Sequence, residues 1–482
     1  IPHAERGFGY AENTQTMLNV TDSRIIELFI EDERFNMDSG TLLNYRRTLD
    51  MREGYIVRDL TWRSPKGREI QIIAKRMVSY ENRHLAAFEY QVVPLNFSAP
   101  MVMRSALNGA VDNHRHEEED PRFQASLGGL GLSVIGIRVE NENAVMAHQT
   151  QRSQLQMACA MANRLKGVND YNYDIDQVCD FVSVNYRFEG RENEPVTLEK
   201  YIAYYTSREY PEAELSALAE KAVINALDKG FGAILAQQGK ILQNYWEGLG
   251  LEMENDPYLS QGINYNLFHL FQASGVDGKR GIGAKGLSSE GYDGHYFWDT
   301  EIYMFPFYCA VLPATARKLL EYRYSILDFA RQRARELAHP HGALYPWRTI
   351  AGEEGSSYYP AGTAQYHINA DIAYSVFQYI DVTGDRTILY DGAGRLLCET
   401  ARLWEDLGFY NPAKGGAFCI NEVTGPDEYS ALVNNNFYTN AMAAYHLFRT
   451  AEILRQEPGL WEETGTDEAE LDRWRRAGEL MY

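Results

Sequence analysis

Cysteine is scarce in this sequence, with five residues in 482. The five are scattered, they form no CxxC pair, and no Cys/His spacing matches a metal-ligand pattern. An odd number also leaves at least one thiol outside any set of disulfides. The sequence therefore predicts neither a disulfide framework nor a zinc site. The cysteines are Cys159, Cys179, Cys309, Cys398 and Cys419.

Basic residues are fewer than acidic residues. The sequence contains 46 lysines and arginines and 67 aspartates and glutamates, which gives a formal net charge of −21. A chain without a basic patch has no means of displacing the counterions of a phosphate backbone, which argues against nucleic acids and anionic membrane surfaces as partners. We expect a small, neutral or weakly charged ligand. A phosphate co-substrate would need its own local cluster of donors.

Long apolar runs are also missing. No run approaches the roughly 18 residues that span a bilayer, and no signal-peptide pattern opens the chain. We therefore expect a cytoplasmic protein without a membrane partner. The sequence begins at Ile1 rather than at a methionine, which leaves room for an upstream segment.

The residues that are present indicate a multidomain protein. A length of 482 residues exceeds one ordinary hydrophobic core, and it predicts about two or three domains. Aromatic residues reach 12% of the chain, with 33 Tyr and 7 Trp. Such side chains suit sugar-binding clefts and equally fill large cores, so composition leaves both interpretations open.

The first part of the chain, to about Pro211, mostly alternates with a period of two. The run from Ala86 to Val92 is typical, and turn-rich breaks such as Ser64 to Gly67 separate the runs. This pattern predicts a large antiparallel β-sandwich with one face toward water.

One stretch of this part, Asp112 to Pro121, is rich in His, Glu and Asp. His114 and His116 are possible metal ligands, but interleaved charges favour an exposed, solvated loop.

After Pro211 the apolar residues recur at helical spacing. Loops dense in Gly, Pro, Trp and acidic residues join the helices, which is typical of an α/α barrel whose loops form a pocket at one end. Further helical patterns run through Asn264 to Gln272, Ile302 to Val311, Leu319 to Leu337, Ile368 to Ile380, Arg386 to Leu407, Asn440 to Leu454 and Leu471 to Met481.

The segment Gly281 to Gly286 matches G-x-G-x-x-G. That motif binds dinucleotides only between a strand and a helix. A helical pattern precedes it here, so we interpret it as a flexible loop.

Three loops concentrate the residue types that sugar chemistry needs. The first, Gly291 to Glu301, ends in Trp298 and Asp299. A flat indole beside a carboxylate offers a hexose a stacking face and a hydroxyl acceptor. The alternative is a helix start that Asp299 caps.

The second loop runs from Tyr345 to Glu354 and continues through Gly362 to Asp371. Its density of aromatic, basic, acidic and amide side chains exceeds what a solvated turn requires and predicts a polar pocket. His367 and Asp371 are spaced i, i+4 and can pair on one helix face. The predicted substrate-binding residues of this loop are Trp347, Arg348, Glu354, Gln365, His367 and Asn369.

The third loop, Asn421 to Tyr429, places Asp427 beside Glu428 after a Gly-Pro turn. Burial can push the pKa values of two adjacent carboxyl groups apart, so that one stays protonated and serves as a general acid. A solvated acidic pair is the alternative.

Together and in this order, the loops resemble glycoside hydrolase family 65, whose members include phosphorylases of maltose, trehalose, kojibiose and nigerose. Matches also occur in the first part of the chain, so the resemblance covers essentially the whole sequence. The matching runs are Gly291 to Glu301, Leu344 to Glu354, Thr363 to Ala373, Val423 to Asn436, Leu49 to Gly54 and Pro94 to Asn96.

The resemblance implies a β-super-sandwich at residues 1–210, a helical linker at 211–256 and an (α/α)6 barrel at 257–482. It makes Glu428 the general acid, places Trp298 and Asp299 at the donor sugar, and puts Trp347 and Arg348 in a pocket loop. It also implies a homodimer that requires no metal or cofactor.

The chain departs from the family pattern at both ends. A glycine-rich opening is missing, and the apolar stripe of Leu471, Trp474 and Met481 has no following helix to cover it. We therefore expect a truncated barrel from a longer polypeptide. The residues that hold phosphate, or that activate water in a hydrolase, are expected beyond Tyr482.

The leading hypothesis is inverting phosphorolysis of an α-linked glucose disaccharide to β-glucose 1-phosphate and a released sugar, with inorganic phosphate as co-substrate. The run from Gly362 to Tyr374 resembles kojibiose-type members more than maltose-type members, with trehalose- and nigerose-type members still possible. Gln365 and Tyr374 carry most of this preference, because an amide and a phenol can each bind an acceptor hydroxyl. The alternative is that both residues only pack their helix. The alternatives are an inverting α-glucoside hydrolase on the same scaffold and a non-catalytic carbohydrate-binding protein.

Overall fold

The computed structural model divides into two compact units, and each is described by itself. One contains Leu18–Asn113 and Gly128–Ser260, and the other contains Ile1–Met17 and Gln261–Tyr482. The loop predicted at His114 and His116 lies outside the described residues. The structure describes residues 1–3, 6–113, 129–249, 251, 254–288 and 291–482.

The first unit, which we call the β unit, is built mainly of antiparallel strands. Its strands are β1 (Ile26–Ile30), β2 (Glu33–Arg34), β3 (Thr41–Asp50), β4 (Tyr55–Arg63), β5 (Glu69–Val78), β6 (Leu85–Pro94), β7 (Ala99–Asn108), β8 (Asp112–Asn113), β9 (Gly129–Leu130), β10 (Leu132–Glu140), β11 (Asn143–Thr150), β12 (Gln156–Lys166), β13 (Tyr171–Val178), β14 (Phe181–Gly190) and β15 (Val196–Thr206).

Two sheets form the sandwich that the period-two pattern predicts. The eight-stranded sheet has the order β10-β11-β12-β15-β6-β5-β4-β3, and the five-stranded sheet has the order β13-β14-β7-β1-β2. Leu28 and Met103 from the smaller sheet share one buried core with Leu60, Tyr90 and Cys159 from the larger sheet. Apolar side chains from both inner faces thus fill the space between the sheets.

Strand β12 is buried on both faces. Cys159 and Met161 face the sandwich core, whereas Ala158 and Ala160 join a second core with helix α1 (Leu215–Lys229). Small alanines on the outer face let the helix approach the sheet closely. Strand gives way to helix between residues 206 and 215, where the sequence period changes.

The second unit, which we call the helical unit, contains helices with one short hairpin. The division of the chain at residues 210 and 256 stays a prediction. After α2 (Phe231–Leu249) the helices are α3 (Pro257–Ala273), α4 (Phe305–Val311), α5 (Pro313–Ser325), α6 (Leu327–Glu336), α7 (Tyr359–Gly362), α8 (His367–Thr383), α9 (Gly394–Leu407), α10 (Phe437–Gln456), α11 (Trp461–Thr464) and α12 (Glu468–Glu479), and the hairpin joins β16 (Phe409–Asn411) to β17 (Ala417–Cys419).

Helix α8 is the centre of the helical unit. It packs against α4, α5, α9 and α10, and it is buried along most of its length, including the polar side chains of His367, Asn369 and Asp371. The helical class is therefore confirmed, while closure into an (α/α)6 barrel stays a prediction. No helix within the described residues combines the length and apolarity that crossing a bilayer requires.

Two predicted helices are interrupted. The pattern from Leu319 to Leu337 spans α5 and α6, with a break at Ile326, where φ is −101° and ψ is 13°. The pattern from Arg386 to Leu407 begins with a π-turn that contains Gly392 at φ 146°. A Cβ at Gly392 would lie 2.8 Å from the Tyr324 ring. Apolar spacing continues through both breaks, so periodicity alone does not reveal them.

The G-x-G-x-x-G segment is a loop, as predicted. It follows α3 and lies in turns, and Gly283 forms only an isolated bridge to Tyr296. No strand therefore presents these glycines to the start of a helix.

Candidate active site

The first site loop places Trp298 and Asp299 at the start of the π-turn that leads into α4. Trp298 is buried, and its ring stands edge-on to that of His367, with centroids 5.0 Å apart and an interplanar angle of 80°. Asp299 makes no side-chain cap hydrogen bond, so the structure does not support the helix-cap interpretation.

The electrostatic surroundings of Asp299 link the first and third loops. Asp299 is exposed as a residue, yet protein atoms crowd its carboxyl group, and this desolvation raises its pKa. The nearby carboxyl groups of Glu301 and Glu428 raise the pKa further. Asp299 and Glu428 therefore lie within electrostatic range of each other.

The second loop is held in shape by Glu354. Its carboxylate accepts hydrogen bonds from the backbone N–H groups of Trp347 at 2.6 Å and Ser356 at 2.8 Å. Burial raises the pKa of Glu354 to about 7, while Arg333, the two backbone donors and Arg348 act in the opposite direction. In this geometry Glu354 shapes the loop, and both of its oxygens are engaged by the protein.

The aromatic members of the second loop lie beside the first. The Trp347 ring meets the Phe297 ring edge-on, with centroids 5.1 Å apart. Arg348 lies over the Trp347 ring at 5.9 Å and donates to the Gly355 carbonyl oxygen at 3.2 Å. Trp347 Nε1 is buried and has no hydrogen-bond partner among the described residues. The structure thus places Trp347 next to the residue that precedes Trp298.

Asn369 supports the second loop from helix α8. Its Oδ1 accepts from the Tyr345 backbone N–H at 2.9 Å, and its Nδ2 donates to the Ala343 carbonyl oxygen at 2.8 Å. The residue is completely buried. Its side chain therefore fixes the chain that leads into Trp347, and its amide has no face toward solvent.

Residues of the opening segment also support this loop. Gln15 Oε1 accepts from the backbone N–H groups of Ile350 and Ala351, each at 2.9 Å, and Gln15 Nε2 donates to Glu353 at 3.0 Å. Sequence reasoning assigned no site role to these residues. Ile1–Met17 clusters with the helical unit.

The third loop presents Glu428 on strained backbone. Glu428 has φ 61°, a left-handed conformation that is uncommon for residues other than glycine and that concentrates at functional sites. Its N–H donates to the Gly425 carbonyl oxygen at 3.0 Å, and Thr424 N–H donates to the Ala364 carbonyl oxygen at 2.9 Å. These bonds fix Glu428 beside Gln365, whose Nε2 lies 3.3 Å from Glu428 Oε1.

Asp427 is turned away from this contact. It is exposed, and it accepts hydrogen bonds from the Ser430 hydroxyl at 3.0 Å and the Ser430 N–H at 3.3 Å. Glu428 is half-buried instead. The two adjacent carboxyl groups thus have different environments, which is the condition for giving them different roles.

Sequence reasoning missed two further members of this neighbourhood. Tyr438 donates to Asp371 at 2.7 Å from the first turn of α10. Arg323 and Glu301 form a fully buried bidentate ion pair, with contacts of 2.6 and 2.8 Å. Tyr438 lies two residues after the matched run that ends at Asn436, and Glu301 is the last residue of the first run, so proximity to the matched runs was the available signal.

The structure therefore brings Trp298, Asp299, Gln365, His367 and Glu428 together, while Arg348, Glu354 and Asn369 make their polar contacts within the second loop. A carboxyl group beside an indole and a second carboxylate can protonate a glycosidic oxygen while the sugar is held in place. The site therefore combines the types of side chain that proteins use to cleave glycosidic bonds.

Comparison with known families identifies the class. Residues 2–245 match the glycosyl hydrolase family 65 N-terminal domain, and residues 264–482 match the family 65 central catalytic domain. The chain belongs to glycoside hydrolase family 65.

Relatives of the chain include two kinds of phosphorylase. It is 44% identical to an α,α-trehalose phosphorylase from Thermoanaerobacter brockii, over 100% of this chain and 63% of that protein. It is 30% identical to a kojibiose phosphorylase from Halothermothrix orenii, over 96% of this chain and 62% of that protein. The chain thus spans less than two thirds of the length of these relatives.

A solved structure shares the fold. A candidate kojibiose phosphorylase from the human microbiome superposes with a TM-score of 0.89 and 23% sequence identity, over 100% of this chain and 62% of that chain. The antiparallel β unit followed by a helical unit is therefore the arrangement of this known fold.

Proposed function

We propose that the protein is an inverting α-glucoside phosphorylase with Glu428 as its general acid. The observation that carries the proposal is the placement of Glu428. It is half-buried on left-handed backbone, receives the Gln365 amide on one oxygen, and shares an electrostatic neighbourhood with Asp299. Phosphorylase relatives at 44% and 30% identity support the same reaction.

In the proposed reaction the protonated Glu428 carboxyl group donates its proton to the glycosidic oxygen, and the electrons of the breaking C–O bond move to that oxygen. Inorganic phosphate attacks the anomeric carbon from the opposite face, which inverts the configuration. The products are β-glucose 1-phosphate and the released sugar. Proton transfer from phosphate restores the Glu428 acid.

Trp298 and Asp299 are proposed to hold the donor glucose. The Trp298 indole supplies an apolar surface, and the Asp299 carboxylate accepts from sugar hydroxyls, an interaction that is stronger than one between neutral groups. Because Asp299 makes no cap hydrogen bond, its carboxylate is free to serve this purpose.

We propose trehalose as the first substrate to test, because the trehalose phosphorylase relative is the more similar of the two. The kojibiose-type preference rests on Gln365 and Tyr374. In the structure Gln365 contacts Glu428 and His367, and the Tyr374 ring packs against Tyr445 with centroids 5.8 Å apart. Both side chains therefore have partners within the protein and need no acceptor sugar to explain their positions. This weakens the argument for a kojibiose-type substrate.

The experiment is to incubate the full-length protein with trehalose, kojibiose, nigerose and maltose, each with and without inorganic phosphate. We expect phosphate-dependent release of β-glucose 1-phosphate, with trehalose cleaved fastest. Glucose release that does not need phosphate would establish a hydrolase instead. Binding without turnover would establish a carbohydrate-binding protein, and fastest cleavage of kojibiose would restore the preference based on Gln365 and Tyr374.

We further propose that the protein is a homodimer in the cytoplasm, as the family resemblance implies. Light scattering on the purified protein measures the mass directly. A mass equal to one chain at assay concentration would reject the dimer.

A further inference from the structure

A continuous row of hydrogen bonds leads from helix α10 to Glu428. Tyr438 donates to Asp371 Oδ1 at 2.7 Å, and Asp371 Oδ2 lies 2.7 Å from His367 Nδ1. His367 Nε2 lies 3.2 Å from Gln365 Oε1, and Gln365 Nε2 lies 3.3 Å from Glu428 Oε1. The three inner members, Asp371, His367 and Gln365, each contact the member before and the member after them.

Donor and acceptor rules fix the direction of the bonds around Gln365. Its Nε2 donates to the Glu428 carboxyl group, so its carbonyl oxygen faces the His367 ring. A carbonyl oxygen can only accept, and His367 Nε2 therefore carries a proton and donates it. The opposite orientation of the amide would set its carbonyl oxygen against Glu428 and repel the ionised form of that carboxyl group.

The surroundings leave His367 little freedom. Its side chain and that of Asp371 are completely buried. The Trp298 ring stands edge-on to the imidazole with centroids 5.0 Å apart, and the Tyr438 ring does so at 5.5 Å. Both ring nitrogens are already engaged by Asp371 and Gln365, so His367 has no polar atom left for a sugar hydroxyl.

We propose that His367 is a positioning residue for the general acid and acts through the Gln365 amide. This inference rests on the proposed function, in which Glu428 is that acid. His367 keeps the amide turned so that its N–H binds Glu428 Oε1 and holds the carboxyl group in position to protonate the glycosidic oxygen. Asp371, held by Tyr438, keeps the imidazole in place.

The same arrangement assists the chemical step. When the proton leaves the Glu428 carboxyl group for the glycosidic oxygen, negative charge appears on the carboxylate. The Gln365 N–H then donates to a charged acceptor, and hydrogen bonds of that kind are about twice as strong as neutral ones. A donor that gains strength as the charge develops lowers the barrier and leaves substrate affinity largely unchanged.

The chain offers a matched pair of variants. In His367→Gln the side-chain amide nitrogen replaces Nε2, so a donor to Gln365 remains. In His367→Asn the amide nitrogen replaces Nδ1, so the contact with Asp371 remains and the donor to Gln365 is lost. We expect His367→Asn to lower kcat about ten- to hundredfold with little change in KM. His367→Gln is expected to keep at least several times more activity than His367→Asn.

A double-mutant cycle tests whether the effect passes through Gln365. Gln365→Met removes the amide at similar volume and is expected to lower kcat about as much as His367→Asn. Because the two residues act in one row, the double variant His367→Asn with Gln365→Met is expected to lose little beyond the larger single loss. Losses that multiply in the double variant would overturn the proposal, as would equal activity of His367→Gln and His367→Asn.

Thermal unfolding of each variant separates positioning from folding. If His367→Asn does not fold, Tyr438→Phe takes its place in the double-mutant cycle. Tyr438→Phe keeps the aromatic ring and removes one hydrogen bond to Asp371. The full-length wild-type protein is assayed first. A wild type without phosphate-dependent cleavage rejects the proposed function and this inference together, whereas an active wild type with multiplying losses rejects the inference alone.

Discussion

At the scale of single residues, backbone conformation and one amide contact set Glu428 apart from its neighbours. Four residues of its loop that are not glycine have positive φ, namely Glu422, Glu428, Leu432 and Asn435. Each costs conformational energy, and the surrounding hydrogen bonds hold them. Of the adjacent acidic pair, Glu428 alone receives the Gln365 amide, so the structure favours it over Asp427 as the acid.

Glu428→Gln is expected to remove nearly all cleavage of unactivated disaccharides and to leave the fold intact, because only proton donation is lost. Loss of a general acid typically lowers the rate about a hundredfold to ten-thousandfold. Initial rates of phosphorolysis measure the effect. Glu422→Gln is the matched control, since Glu422 is exposed on left-handed backbone in the same loop. Retention of more than a tenth of the wild-type rate would transfer the assignment to Asp427.

Asp299→Asn is expected to weaken transition-state binding by about 1.5 to 3 kcal/mol, the contribution of a hydrogen bond to a charged group. The melting temperature should stay close to that of the wild type, because Asp299 makes no cap hydrogen bond to the following turn. Values of kcat/KM and thermal unfolding together check this. A large fall in melting temperature with unchanged kcat/KM would show that Asp299 serves the fold.

At the scale of secondary-structure elements, buried polar contacts join helices of the core. Trp404 on α9 donates from Nε1 to His446 Nδ1 on α10 at 3.0 Å, and His446 Nε2 lies 3.2 Å from the Thr400 hydroxyl. A ring nitrogen that accepts a hydrogen bond carries no proton, so His446 is neutral. Burial agrees with this assignment, since it lowers the pKa of His446 to about 3.

This contact makes a prediction about acid stability. The folded state resists protonation of His446 until about pH 3, whereas the unfolded chain takes up the proton below its ordinary pKa of 6.5. The free energy of unfolding should therefore fall as pH is lowered from about 6.5 toward 3, by about 1.4 kcal/mol per pH unit from this one group.

Urea unfolding of the wild type and of His446→Gln at several pH values provides the measurement. The variant lacks the titrating ring. Between about pH 6.5 and 3, its unfolding free energy should therefore fall by about 1.4 kcal/mol less per pH unit than that of the wild type. Other buried histidines, such as His295, contribute equally to both proteins and cancel in the difference. Parallel pH dependence of the two proteins would contradict the assignment of a neutral His446.

At the scale of the whole molecule, each compact unit has its own core. The sandwich core contains Leu198 among its fully buried residues, and the helical core contains Leu447. Chains with separate cores commonly unfold in more than one step. We therefore expect two transitions in urea.

Leu198→Ala and Leu447→Ala assign the transitions. Removing a fully buried leucine side chain typically costs about 2 to 5 kcal/mol. Leu198→Ala is expected to move one midpoint to lower urea concentration and Leu447→Ala the other. A single transition that both variants shift alike would mean that the two cores unfold as one cooperative system.

The sequence by itself determined the class of each unit and the loops that carry chemistry. Periods of two and 3.6 residues report which faces are buried, and this local signal located the β unit, the helices and the change near residue 211. The residue types of the three loops indicated Trp298, Asp299 and the Asp427–Glu428 pair, and the resemblance to glycoside hydrolase family 65 selected Glu428 from that pair.

Only the tertiary structure decided which polar side chains share contacts. The row from Tyr438 to Glu428 joins residues up to 67 positions apart, and Gln15 reaches a loop 335 residues away. Such contacts leave no period in the sequence, because they depend on how distant helices and loops pack. The same packing distinguishes Glu354 and Asn369, whose side chains bond to backbone groups of the second loop, from Asp299, which makes no side-chain cap hydrogen bond.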